Sequence, residues 1–177
     1  MSSESGQKSS PTWKELQALL TSYPKAPIAA TVTRSGERSG RNDVSHAVVH
    51  DGLEGWFIRL DRSREFVFGT DSTVFVDEGG VRAVRGARVA ANLWIKALLQ
   101  GRLLAALDQA EGRCIGSESL EGRVCWITEL EGLRDDGATT RLWIEATHGY
   151  VLQMEGPDYR IQVTDLAIGT ATSSNQE

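Results

Sequence analysis

Between Pro27 and Ile168 the side chains change character at every second residue, and this two-residue period is interrupted once, by a long run rich in Leu and Ala. A period of two belongs to a β-strand with one face buried, whereas an amphipathic helix repeats every 3.6 residues. Before the interruption the pattern predicts strands over Ile28 to Thr33, Val44 to His50, Gly55 to Leu60, Glu65 to Gly69, Thr73 to Val76 and Val81 to Arg85. After it, strands are predicted over Arg113 to Ser117, Arg123 to Leu130, Thr140 to Ala146, Tyr150 to Glu155 and Tyr159 to Ile168. Strands on both sides of one internal helix, without β-α-β alternation, argue against a doubly wound parallel sheet. Asp51-Gly52 and Gly79-Gly80 are tight-turn signals that pair neighbouring segments as hairpins.

The interruption, Val89 to Ala110, has helix-forming composition and no proline. Asn92, Lys96 and Gln100 define a polar stripe, but Leu98, Leu99, Leu103, Leu104 and Leu107 spread apolar surface well beyond one face. Such a helix needs cover on several sides, so it is expected in the mouth of a curved sheet or in a dimer contact. A shorter first helix is predicted after Thr12, where Glu15 completes a capping-box spacing and Trp13, Leu16, Leu19, Leu20 and Tyr23 recur at helical intervals up to Pro24. Residues 1–10 and 171–177 are polar tails, expected to be disordered, and 11–170 form a single domain. The expected class is α+β: a strongly curved antiparallel sheet, an incomplete β-barrel, wrapped around a central helix with a short N-terminal helix.

The formal net charge of -5 argues against nucleic acid as a partner, because phosphate recognition rewards an excess of Lys and Arg. No segment is apolar for long enough to span a bilayer, and residues 1–10 show no leader pattern, so a cytoplasmic protein is expected. His46 and His50 fall on one strand, where four residues separate them by about 13 Å, too far for one metal ion. His148 sits in a turn-like stretch with an ordinary polar role. Cys114 and Cys125 become near cross-strand neighbours if Ser119 to Gly122 turns the chain, and reduced thiols are expected in the cytoplasm. No phosphate-binding glycine motif occurs, and no serine or cysteine has an evident base, so the chain is expected not to be an enzyme and to carry no cofactor. Core packing is the default role of the five tryptophans. Trp94 with Phe57, Phe66 and Phe68 supplies the vocabulary of an apolar pocket, and Leu98, Leu99, Leu103 and Leu104 extend it.

Three stretches carry a resemblance: Leu120-Glu121-Gly122-Arg123-Val124-Cys125-Trp126, Leu142-Trp143-Ile144-Glu145 and His148-Gly149-Tyr150-Val151-Leu152. They resemble the lipoprotein-localisation-factor-like group of outer-membrane lipoprotein carriers and related bacterial lipid-binding lipoproteins. The resemblance implies an incomplete β-barrel whose concave side holds helices over a cavity for acyl chains. It also implies that Trp126 and Trp143 are sheet residues, and it transfers no catalytic residue. The expected function is non-enzymatic binding of an apolar ligand, a lipid or acylated molecule, in the concave face. The alternative is a cytoplasmic protein-interaction module, or a homodimer, using the apolar helix or a sheet edge.

Overall fold

The structure is a computed structural model that describes residues 9–22, 25–36, 44–50, 56–61, 64–68, 73–77, 80–83, 107–108, 110–132 and 136–169. Helix α1 is Trp13–Leu20, and the strands are β1 Ile28–Ser35, β2 Val44–His50, β3 Trp56–Asp61, β4 Arg64–Phe68, β5 Thr73–Asp77, β6 Gly80–Ala83, β7 Glu111–Leu120, β8 Arg123–Glu131, β9 Thr140–Glu145, β10 Val151–Gly156 and β11 Tyr159–Ile168. They form one eleven-stranded sheet in the order β6-β5-β4-β3-β2-β1-β11-β10-β9-β8-β7. The two expected meanders are thus joined where β1 pairs antiparallel with β11, for example Val32 with Val163. β6 and β7 are the two outer strands, so the sheet is open, as in an incomplete barrel. Four register shifts, near Ala29, Arg59, Cys114 and Val151, add local twist and bend, the means by which so wide a sheet curls.

Turn chemistry places most hairpins. Glu121 and Gly122 both have positive φ, 51° and 70°, the signature of a two-residue type I′ turn between β7 and β8. Two expected turns move. His50 pairs with Trp56, leaving residues 51–55 as the connection in place of a tight Asp51-Gly52 turn. Asp77 pairs with Gly80, which shifts the β5-β6 reversal one residue ahead of Gly79-Gly80. The expected central helix, Val89 to Ala110, lies outside the described residues except for Leu107, Asp108 and Ala110; the expected tails at 1–8 and 171–177 lie outside them altogether. β7 starts at Glu111, directly after that segment.

One face of the sheet is apolar and buried, the other charged. Ile28, Val32, Val48, Leu130, Leu142, Ile144 and Val163 are all buried within one core cluster. On the opposite face, register sets Arg113 against Glu129, Glu129 against Arg141, Arg141 against Glu155 and Glu155 against Arg160. Three of these contacts close as ion pairs: Arg113–Glu129 at 2.7 Å, Arg141–Glu129 at 2.9 Å and Arg160–Glu155 at 2.5 Å. Both arginines hold the Glu129 carboxyl below the usual carboxylate range. Exposed pairs contribute little stability each, but a one-residue slip would break every rung, so the ladder helps fix register.

Helix α1 lies on the apolar face. Thr12 Oγ1 accepts from the Glu15 amide at 3.3 Å while Glu15 Oε2 accepts from the Thr12 amide at 2.7 Å, the expected reciprocal cap. Leu16 and Leu20 point inward and are fully buried. Trp13 packs above Gly112, where a Cβ would fall 2.5 Å from the indole, and its Nε1 donates to the Ala110 carbonyl at 3.0 Å. Gln17 Nε2 likewise donates to the Leu107 carbonyl at 2.9 Å. Thr12→Ala is expected to cost about 1 kcal/mol, seen as a lower urea midpoint with an unchanged denaturant slope.

Candidate functional site

Among the described residues the sheet is far wider than the one helix that lies on it. Eleven strands span about 48 Å at the usual strand spacing, whereas an eight-residue helix is about 12 Å long. β6 and β7 are consecutive in the chain and stand at the two opposite edges of the sheet. Trp94, Leu98, Leu99, Leu103 and Leu104 lie outside the described residues. Phe57 is in β3, and Phe66 and Phe68 are in β4. Register sets Phe66 in the row Ala30-Val48-Ile58-Phe66 and Phe68 in the row Ile28-His50-Trp56-Phe68. Ile28, Ala30 and Val48 themselves are buried. Phe57 falls in the alternate row, opposite Val49, which is 45% exposed. His46 and His50 lie on β2, as the pattern predicts.

At the end of α1 the residues build a buried polar knot that sequence reasoning missed. Lys25, only 7% exposed, donates from Nζ to the carbonyls of Leu19 (3.0 Å), His148 (2.8 Å) and Gly149 (3.3 Å) and to Ser22 Oγ (3.2 Å). The Leu19 carbonyl is in the last turn of α1, where intrahelical partners run out, so the ammonium serves as a cap and complements the helix dipole. Burial pulls the lysine down to about 8, against the upward pull of the Glu145 carboxylate. Glu145, 2% exposed, accepts from the His148 amide at 2.5 Å, with the His148 ring at 3.2 Å and Arg123 at 3.9 Å. Tyr150 is fully buried, its ring 5.3 Å from Lys25 Nζ, and its hydroxyl donates to the Ala26 carbonyl. His148 is therefore part of the knot and has more than the ordinary turn role expected of it. The two prolines flanking Lys25-Ala26 mark a rigid connection, but nothing in the sequence signals that this lysine is buried.

The cysteines are free, and register explains why they do not meet: Cys114 faces Thr128 and Cys125 faces Glu118, across the bulge near Gly116. Burial pushes the Cys125 thiol up to about 11, which suits a packed group and not a nucleophile. Trp143 is buried in β9, with its Nε1 donating to Glu118 Oε2 at 2.8 Å, and Trp126 is in β8, the sheet roles that the motifs imply. Among the described residues there is no group of His, Cys, Asp and Glu that could hold a metal ion, and no helix long and apolar enough to cross a membrane.

No family model matches the sequence, and no curated protein does. Solved structures do match. The complex of Pseudomonas aeruginosa MucA/MucB aligns at 17% identity with a TM-score of 0.54, and MucB in complex with MucA(peri) at 18% and 0.52; each covers 93% of this chain. The chain spans 58% and 57% of those MucB chains, less than two thirds of their length. An uncharacterised conserved protein from Thermus thermophilus aligns at 13% identity over 88% of this chain and 86% of its own, with a TM-score of 0.54. A LolA superfamily protein from Nitrosomonas europaea also aligns, at 11% identity over 89% of this chain and 93% of its own, with a TM-score of 0.39. The expected cytoplasmic location is overturned here: the structural neighbours include MucB solved in complex with MucA(peri). The fold is an open antiparallel sheet, similar to that of MucB over 93% of this chain at 17% identity and a TM-score of 0.54.

Proposed function

We propose that the chain binds an apolar ligand, a lipid or acylated molecule, without chemistry, against the apolar face of its open sheet, and that it does so in the periplasm or envelope. The observation that supports this reading is that, among the described residues, a sheet about 48 Å wide carries one short helix, α1, on its apolar face. In this reading Trp94, Leu98, Leu99, Leu103 and Leu104, with Phe66 and Phe68 on β4, form the lining. Phe57 on β3 belongs to the same proposed lining. Apolar pockets with few polar groups suit acyl chains, whose affinity grows with the apolar area removed from water.

A second reading is supported by one observation: MucB is solved with a protein partner. In that case the Leu-rich segment or a free sheet edge would meet another chain. Native mass spectrometry and lipid extraction of the purified protein, followed by titration with a fluorescent acyl-chain probe, separate the two. Ligand binding predicts a co-purifying lipid or saturable probe binding, weakened at least tenfold by Leu103→Asp with secondary structure unchanged. No bound lipid and no probe binding would leave only the partner reading.

A further inference from the structure

Among the described residues, two buried hydroxyls on the apolar face have no partner. Thr128 and Thr140 are 0% and 1% exposed, and neither Oγ1 has a hydrogen bond. Register sets Thr128 against Leu142 and Thr140 against Leu130, so the two threonines are diagonal neighbours on adjacent strands and share the face with those leucines. Gly112, opposite Leu130, would strike Trp13 with any Cβ, which identifies this as the side on which α1 packs. Across from Thr128 lies Cys114, whose Sγ is directed to the Gly116 carbonyl at 3.5 Å. A buried hydroxyl without a partner is destabilising, and valine, of nearly the same shape and equal strand preference, would avoid that loss. Two such sites side by side in an apolar wall call for an acceptor that arrives from elsewhere.

We propose that Thr128 and Thr140 donate to an oxygen-bearing group of the ligand, so that the groove prefers acyl chains carrying an ester, amide or carboxyl group to plain hydrocarbon. This rests on the apolar-ligand reading and narrows it. Diagonal strand neighbours have Cβ atoms about 7 Å apart, a span that two hydrogen bonds to the two oxygens of a single ester can bridge. The surrounding Leu130 and Leu142 would hold the chain itself.

The test compares methyl laurate with tridecane, an alkane of closely matched length, by calorimetric titration into the full chain. Wild type is expected to bind the ester about tenfold more tightly than the alkane, the worth of two net hydrogen bonds. Thr128→Val/Thr140→Val is expected to melt no lower than wild type, to bind tridecane within twofold of wild type, and to lose the preference. Thr128→Ser/Thr140→Ser, which keeps both donors, is expected to retain it. A valine variant that still prefers the ester overturns the inference, because enclosed water would then be the hydroxyls' partner. Equal wild-type binding of the two probes overturns it while leaving the apolar-ligand reading intact, and binding of neither removes both.

Discussion

Gly149→Ala is expected to destabilise the fold by about 3 kcal/mol or more, enough to lower the urea midpoint sharply. Two independent effects add. The residue has a φ of +75°, where any Cβ costs about 1–2 kcal/mol. The added carbon would also lie inside contact distance of the Leu19 carbonyl oxygen and 2.7 Å from its carbon. That neighbour is backbone at the end of α1 and is pinned by Lys25, so it cannot yield as a flexible side chain would. Gly149 is equally fixed, since its amide donates to the Glu145 carbonyl at 3.0 Å. Gly122 provides the control: its φ is +70°, but nothing lies within 4 Å of its Cβ position, so Gly122→Ala should cost about 1–2 kcal/mol only. Equal midpoint shifts for the two variants would show that the approach of the β9-β10 turn to α1 contributes nothing.

That turn also marks the boundary of what the sequence reveals. Strand positions are readable because each strand buries one face, and β2 and β11 fall where the period-two pattern puts them. The first helix is readable because Thr12 and Glu15 satisfy each other within one turn of chain. The pairing of β1 with β11 is not, because it joins the two ends of the domain and no local period encodes a long-range neighbour. The bulge near Gly116 separates Cys114 from Cys125 for a similar reason: one extra residue changes every downstream partner without altering composition. Lys25 is invisible as well, since an isolated lysine ordinarily stays in water, and only the convergence of three carbonyls makes its burial tolerable. The apolar breadth of the Leu-rich segment is plain from its residues. Which residues of neighbouring strands stand opposite one another, such as Phe66 opposite Ile58, requires the register.

Lys25→Met is expected to destabilise the protein by about 2–4 kcal/mol at pH 7 and to change how its stability responds to alkali. Burying the ammonium is itself costly: a pKa falling from 10.5 to about 8 corresponds to about 3 kcal/mol at neutral pH, which methionine would recover. Against that, the His148 and Gly149 carbonyls lose the lysine donor at about 1–3 kcal/mol each, the Leu19 carbonyl is left to Ser22, and Glu145 loses a compensating charge, so the loss outweighs the gain. The pH dependence follows from the direction of the shift. Between pH 8 and 10.5 the unfolded chain keeps a proton on Lys25 that the folded chain has shed, so this residue's contribution to stability rises with pH across that window. Cys125 acts in the opposite sense, because its pKa is raised from 9.0 to about 11 and the unfolded thiol ionises first, so stability is lost from pH 9 upward. The cysteine is present in both proteins and cancels in their difference. Denaturation of wild type and Lys25→Met at pH 7 and pH 9.5 should therefore show the gap widening by about 2 kcal/mol at the higher pH. A gap that stays constant would mean that Lys25 keeps its ordinary pKa in the fold, and that the link between α1 and the β9-β10 turn is looser than four donor contacts at 2.8–3.3 Å imply.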